Sequence, residues 1–191
     1  MGPSFFVVRV QLSRFSVFRE LRTIYFSGTI DEQMAAAVID AAETFMTRRD
    51  HSPIKLVFDT PGGHHAPMCK LTGFVRASPA PIWGIIRGRA FSAGFHLLWS
   101  CAERYATPES LLMYHPPQVP SKEICPHCGQ HPVGYVLDEN EERYQTLLGQ
   151  ISAETRTDLA LVQQWGREER RFTAAEAKKL RMIKRIVKRL P

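Results

Sequence analysis

The 191 residues contain no apolar stretch long enough to cross a membrane. The short apolar run near the start is interrupted by Arg9, and it lacks the basic start and small-residue cleavage site of a secretory signal. Gly2 is present, but Phe6 stands where a myristoylation pattern places Ser or Thr. These absences lead to the expectation of a cytoplasmic protein with no membrane partner. Cysteine is scarce: four in a chain of this size do not make a disulfide framework. Internal repeats and low-complexity tracts are missing as well, and no adenine-binding cue is visible.

What is present is ordinary for a globular protein, with 44% hydrophobic and 23% charged residues, enough chain for one domain with a buried core. The formal charge of +6 is unevenly spread. Ten basic residues fall between Arg167 and Arg189, against Glu168, Glu169 and Glu176. The segment lacks the interleaved aromatic residues of a single-strand binder, so a solvated helix face is expected there and nucleic acid is not.

Strand and helix patterns alternate about four times. Residues 22–31 form a β-rich run broken by Gly28, with Asp31 placed to cap a helix whose apolar positions are Met34, Val38, Ala41, Ala42 and Phe45. The run IKLVFD leads into Pro61, Gly62 and Gly63, and a helix is expected from there to just before Pro79. PIWGIIRG predicts a further strand, FSAGFHLLWSCA a helix and LLMYHPP a strand. The spacing then predicts one helix from Glu139 to about Trp165, and a last one opened by a capping box of Thr173 and Glu176. Such alternation is the mark of βαβ units and a mostly parallel α/β sheet, in which ligands meet the carboxyl ends of the strands.

Those ends carry Gly62 and Gly63, then Ser92, then His115. A serine hydroxyl becomes a nucleophile when a base accepts its proton, and histidine is suited to that near neutrality. Backbone N–H groups at a glycine turn or helix start can hold the oxyanion. Taken singly, a Ser before Ala-Gly at a helix start is more often a cap than a nucleophile, and a His before Pro-Pro more often packs or binds a carbonyl.

As a set, the stretches RTIYFSGTID, LVFDTPGG, GRAFSAGFHLLWSCAERYATPES and LLMYHPP resemble the proteolytic subunit of Clp protease, from Arg22 to Pro117. REERRFTAAEAKKLRMIKRIV is similar to the family's segment after its catalytic acid. The resemblance implies a ClpP/crotonase-like fold in one domain over residues 1–191: a core at 20–117, a handle-like excursion at 118–150 and a helical part at 151–191. It further implies a serine endopeptidase in which Ser92 is the nucleophile, His115 the general base, and the N–H groups of Gly63 and Ala93 the oxyanion hole. No cofactor is implied for catalysis. The implied partners are polypeptide substrates, further copies of the chain in rings of seven, and an ATP-dependent unfoldase, although the first 20 residues do not match the family's axial loops.

Two departures stand out. The family's orienting Asp falls on Trp165 and Gly166, and no Asp follows Asp158. Glu168 is preferred as its substitute, with Glu169, Asp158 or a bare Ser-His dyad left open, as is an inactive assembly subunit paired with an active paralogue. The second departure is CPHCGQH: Cys125 and Cys128 are spaced as half of a tetrahedral zinc site, with His131 placed to be a third ligand of a structural zinc, and two free thiols or a disulfide switch are left open. Cys69 and Cys101 sit in helical apolar contexts as core residues, and His64 and His65 follow the oxyanion turn, where they would narrow the substrate cleft, touch the substrate, or stand as two exposed histidines at a helix start.

Overall fold

Two runs rich in β-branched and aromatic residues, β4 (Ile54–Thr60) and β5 (Ile82–Phe91), pair in parallel at the centre of a sheet that has nine strands among the described residues. The structure is a computed structural model that describes residues 8–12, 15–20, 22–46, 51–116 and 133–189. On one side of this pair β3 (Thr23–Ser27) joins β4 in parallel, followed by β2 (Phe15–Glu20) and β1 (Val8–Leu12), both antiparallel. On the other side β5 has two parallel partners along its length: β6 (Glu103–Ala106) against its first half and β7 (Leu111–Met113) against its last three residues. Two-residue strands finish the edges, β8 (Phe172–Thr173) on β7 and β9 (Arg185–Ile186) on β6. The mostly parallel α/β sheet expected from the alternation is thus present.

Near-continuous apolar sequence in β4 and β5 follows from burial on both faces, as parallel strands require. Ile54, Leu56, Val57, Phe58, Ile82, Ile85 and Ile86 are all buried, each side chain stabilising the fold by about 1.5–3 kcal/mol. Helix α1 (Glu32–Met46) starts where Asp31 Oδ1 accepts the Met34 N–H at 2.8 Å, and it buries Met34, Ala35, Val38 and Ala42. Helix α2 (His65–Ala77) ends at Ser78, before Pro79 bars its continuation. Helix α3 (Ala93–Ser100) is apolar almost all round and mostly buried.

The backbone divides into two units, Met1–Tyr114 with Arg171–Pro191, and His115–Arg170. The first holds the sheet, α1 to α3 and α6 (Ala174–Lys179). The second holds α4 (Val133–Thr155) and α5 (Leu159–Arg167).

The single helix expected at 139–165 is two helices. Arg156 takes a left-handed conformation (φ 56°), the Thr157 N–H returns to Ser152 O at 3.1 Å, and Asp158 caps α5 through the Ala160 N–H at 2.8 Å. The last helix is also shorter than its periodicity predicts. Its capping box forms as expected, with Thr173 and Glu176 each accepting the other's backbone N–H, an arrangement that stabilises by about 1 kcal/mol. Arg181 (φ 60°) then ends it, and Met182 and Ile183 turn into the core. Pairing of β9 with β6 offsets the helix propensity of the remaining residues.

Candidate active site

The turn after β4 is built around Thr60, whose buried hydroxyl accepts the Gly62 N–H at 3.1 Å and donates to Gly62 O at 3.2 Å. Ile30 clamps the same turn from outside: its N–H donates to Gly62 O at 2.8 Å and its carbonyl accepts the His64 N–H at 2.9 Å. Gly62 has φ +110°, and a Cβ there would lie 2.8 Å from Ser92 Cβ and 3.3 Å from Ser92 Oγ. Only glycine permits both the conformation and the approach. The Pro-Gly-Gly turn and Ser92 are therefore adjacent.

Ser92 itself joins β5 to α3 with φ 52° and ψ −118°. This is a conformation that glycine favours and L-residues adopt under strain, on the order of 1–3 kcal/mol. Its backbone is fastened on both sides: the N–H donates to Met113 O at 2.9 Å, and the carbonyl accepts the N–H groups of Phe95 and His96 at 2.9 and 3.2 Å. The hydroxyl makes no capping bond. The cap reading of Ser92 thus describes its position but not its side chain. A strained strand-to-helix turn whose serine Oγ has no hydrogen-bond partner among the described residues is the arrangement of a nucleophile elbow.

The N–H groups of Gly63 and Ala93 have no acceptor among the described residues, while their neighbours at Gly62, His64 and Ser92 all do. Gly63 is exposed and Ser92 half-buried. Asp59 braces the approach: β5 shifts register against β4 between Phe58 and Thr60, and Asp59 Oδ1 accepts both the Arg89 N–H and Arg89 Nε, each at 2.9 Å. This carboxylate raises Arg89 above its ordinary range, first through the hydrogen bond and then through its charge. Sequence patterning did not single out this brace, because both residues sit inside strand runs.

Tyr114, the last residue of the first unit's leading segment, is buried with its ring 4.9 Å from Phe95 and 6.3 Å from Phe172. His115 opens the second unit, half-buried, with its Nδ1 2.6 Å from Pro116 O. The carbonyl contact expected of an ordinary His-Pro-Pro histidine is thus present. Glu168 lies in the same unit at the end of α5, exposed, and its Oε1 accepts from Gln164 Nε2 at 2.7 Å. No hydrogen bond joins Glu168 to His115 among the described residues.

The profile of the family described as Clp protease matches residues 10–189. The chain belongs to the Clp protease family. A search of curated proteins returns no match. As a Clp protease family member the chain has the ClpP/crotonase-like fold, and it belongs with peptidases that act on polypeptides and usually assemble as oligomers. Among the described residues no helix is long and apolar enough to cross a membrane.

Cys125, Cys128 and His131 lie outside the described residues. Among the described residues no group of three or more His, Cys, Asp or Glu side chains is placed to hold a metal ion. Cys101 is buried, as expected, and burial pushes its thiol up to about 12. Cys69 is only half-buried and lies 3.3 Å from His65 Nε2. Peptide mapping after brief treatment of the native protein with a thiol-alkylating reagent is therefore expected to find Cys69 modified and Cys101 intact until the protein is unfolded.

Proposed function

We propose that the protein is a serine endopeptidase in which Ser92 is the nucleophile, His115 the general base, and the N–H groups of Gly63 and Ala93 the oxyanion donors. The observation that carries this reading is the backbone of Ser92, held at φ 52° against the glycine turn with its hydroxyl withheld from capping. His115 Nε2 takes the Ser92 proton as Oγ bonds to the scissile carbonyl carbon, and the oxyanion is held by the two N–H groups. Collapse breaks the C–N bond, and the amine leaves with the proton from Nε2. Water, deprotonated by the same nitrogen, then hydrolyses the acyl-enzyme and restores Ser92. None of these steps calls on a metal or cofactor.

Family membership supports assembly into a closed chamber of seven-membered rings, fed by an ATP-driven unfoldase in the cytoplasm. A second reading, an inactive assembly subunit that joins an active paralogue, is favoured by one fact alone: the acid nearest the family's third position, Glu168, is bonded to Gln164. A fluorophosphonate probe separates the two. The expected result is a covalent adduct on the peptide that contains Ser92, with loss of hydrolysis of a fluorogenic peptide in proportion to labelling. A folded protein that neither takes the probe nor cleaves peptide would eliminate the endopeptidase and leave the assembly subunit.

A further inference from the structure

The stretch where the family's orienting carboxylate falls is occupied by Trp165 and Gly166, both buried. Two of the acids around it have side-chain bonds of their own. Asp158 Oδ1 caps α5 through the Ala160 N–H at 2.8 Å, and Glu168 Oε1 takes Gln164 Nε2 at 2.7 Å. Glu169 sits in a left-handed turn (φ 49°) with its N–H on Gly166 O at 3.1 Å. The ring of His115 meets Pro116 O instead, at 2.6 Å from Nδ1.

A carbonyl oxygen can only accept a hydrogen bond. Nδ1 therefore carries the proton and Nε2 keeps its lone pair, which is the tautomer that a base acting through Nε2 needs. Proton uptake leaves this bond in place, because the imidazolium still has its Nδ1–H and donates it with charge assistance. The acceptor is also stiffly held. The pyrrolidine ring fixes φ at Pro116, and Pro117, next in sequence, restricts ψ at Pro116, so the direction of this carbonyl has little freedom.

We propose that the Pro116 carbonyl stands in for the family's orienting carboxylate, holding His115 in the Nδ1–H tautomer as its positioning group. The inference rests on the peptidase reading and deepens it, since it removes the need for an acid in the site. It also gives Pro116 a function, as the residue that supplies the acceptor.

The test combines a spectroscopic and a kinetic measurement on the full chain. Long-range proton-nitrogen correlation spectra of histidine-labelled protein, with His115 assigned by its loss in His115→Gln, are expected to show neutral His115 protonated at Nδ1. Protonation at Nε2 would overturn the proposal. In parallel, Glu168→Gln, Glu169→Gln and Asp158→Asn are each expected to change kcat/KM by less than about threefold, where loss of a working triad acid lowers it by about 10⁴. A fall of about 100-fold or more in any one of them identifies that acid as the partner and overturns the proposal. The reading beneath it fails differently: unchanged kcat/KM in His115→Gln would remove His115 as base, whereas an inactive His115→Gln beside an inactive acid variant removes only the carbonyl's role.

Discussion

Ser92→Ala is expected to lower kcat/KM on a fluorogenic peptide by about 10⁴ to 10⁶-fold, the range for loss of a serine nucleophile, and to leave stability unchanged. Ser92→Gly should be equally inactive yet more stable than Ser92→Ala by roughly 1 kcal/mol. The hydroxyl makes no capping bond, so alanine forfeits no hydrogen bond among the described residues. Alanine also retains a Cβ at φ 52° and ψ −118°, and with it the strain. Glycine removes the strain, about 1–3 kcal/mol, and gives back a smaller amount through the freedom of its unfolded chain. Denaturant midpoints at constant slope measure the difference. Residual activity above about a tenth of wild type in Ser92→Ala would remove Ser92 as nucleophile. A Ser92→Gly protein less stable than Ser92→Ala would show that this backbone stores no strain.

The strained serine also marks how far sequence reading reaches. The parallel core was legible because burial on both faces writes near-continuous apolar runs into β4 and the first half of β5, and because Pro61 ends the first of these runs and Pro79 ends the helix between them. Strand β6 was not legible. Its sequence, Glu-Arg-Tyr-Ala, has no pattern of its own and becomes a strand by pairing between β5 and β9. The break at Arg156 contains neither glycine nor proline, so periodicity runs through it, although Thr157 and Asp158 are residues that favour caps. The tail beyond Lys179 keeps helical spacing, and tertiary pairing overrides it.

The site divides in the same way. Gly62, Gly63 and Ser92 are marked by composition, since only small residues allow the turn and the elbow to meet. The Pro116 contact of His115 depends on the orientation of the histidine ring, which residue identity does not encode. Motif spacing could single out the histidine; it could not say which carbonyl its ring meets. That is why the missing Asp points, by proximity alone, to Glu168, an acid near in sequence whose side chain is bonded along its own helix.

Gly63→Ala is the second substitution with a large expected effect, and its cause is steric. A Cβ at Gly63 would lie 2.1 Å from Ile30 O and 2.6 Å from Ile30 N, both backbone atoms. Ile30 is buried and pinned by its own bonds to Gly62 O and His64 N–H, so it has little room to yield. The glycine turn must move instead, and the Gly63 N–H moves with it. Loss of one oxyanion donor lowers kcat by about 10² to 10³-fold, and that is the fall expected here, with a stability loss of about 1–3 kcal/mol from the clash. Gly73→Ala in α2 separates the two effects, because nothing lies within 4 Å of a Cβ at that position. It should keep full activity and gain up to about 1 kcal/mol in stability, as alanine is the better helix former. Both variants are to be assayed below the lower of their unfolding midpoints, so that inactivity cannot be unfolding. A Gly63→Ala enzyme that is destabilised but turns over at the wild-type rate would show that the second oxyanion donor lies elsewhere than Gly63. An enzyme that is folded, slow and slow to take fluorophosphonate would tie the rate to the direction of that N–H, the one property of Gly63 that its missing side chain protects.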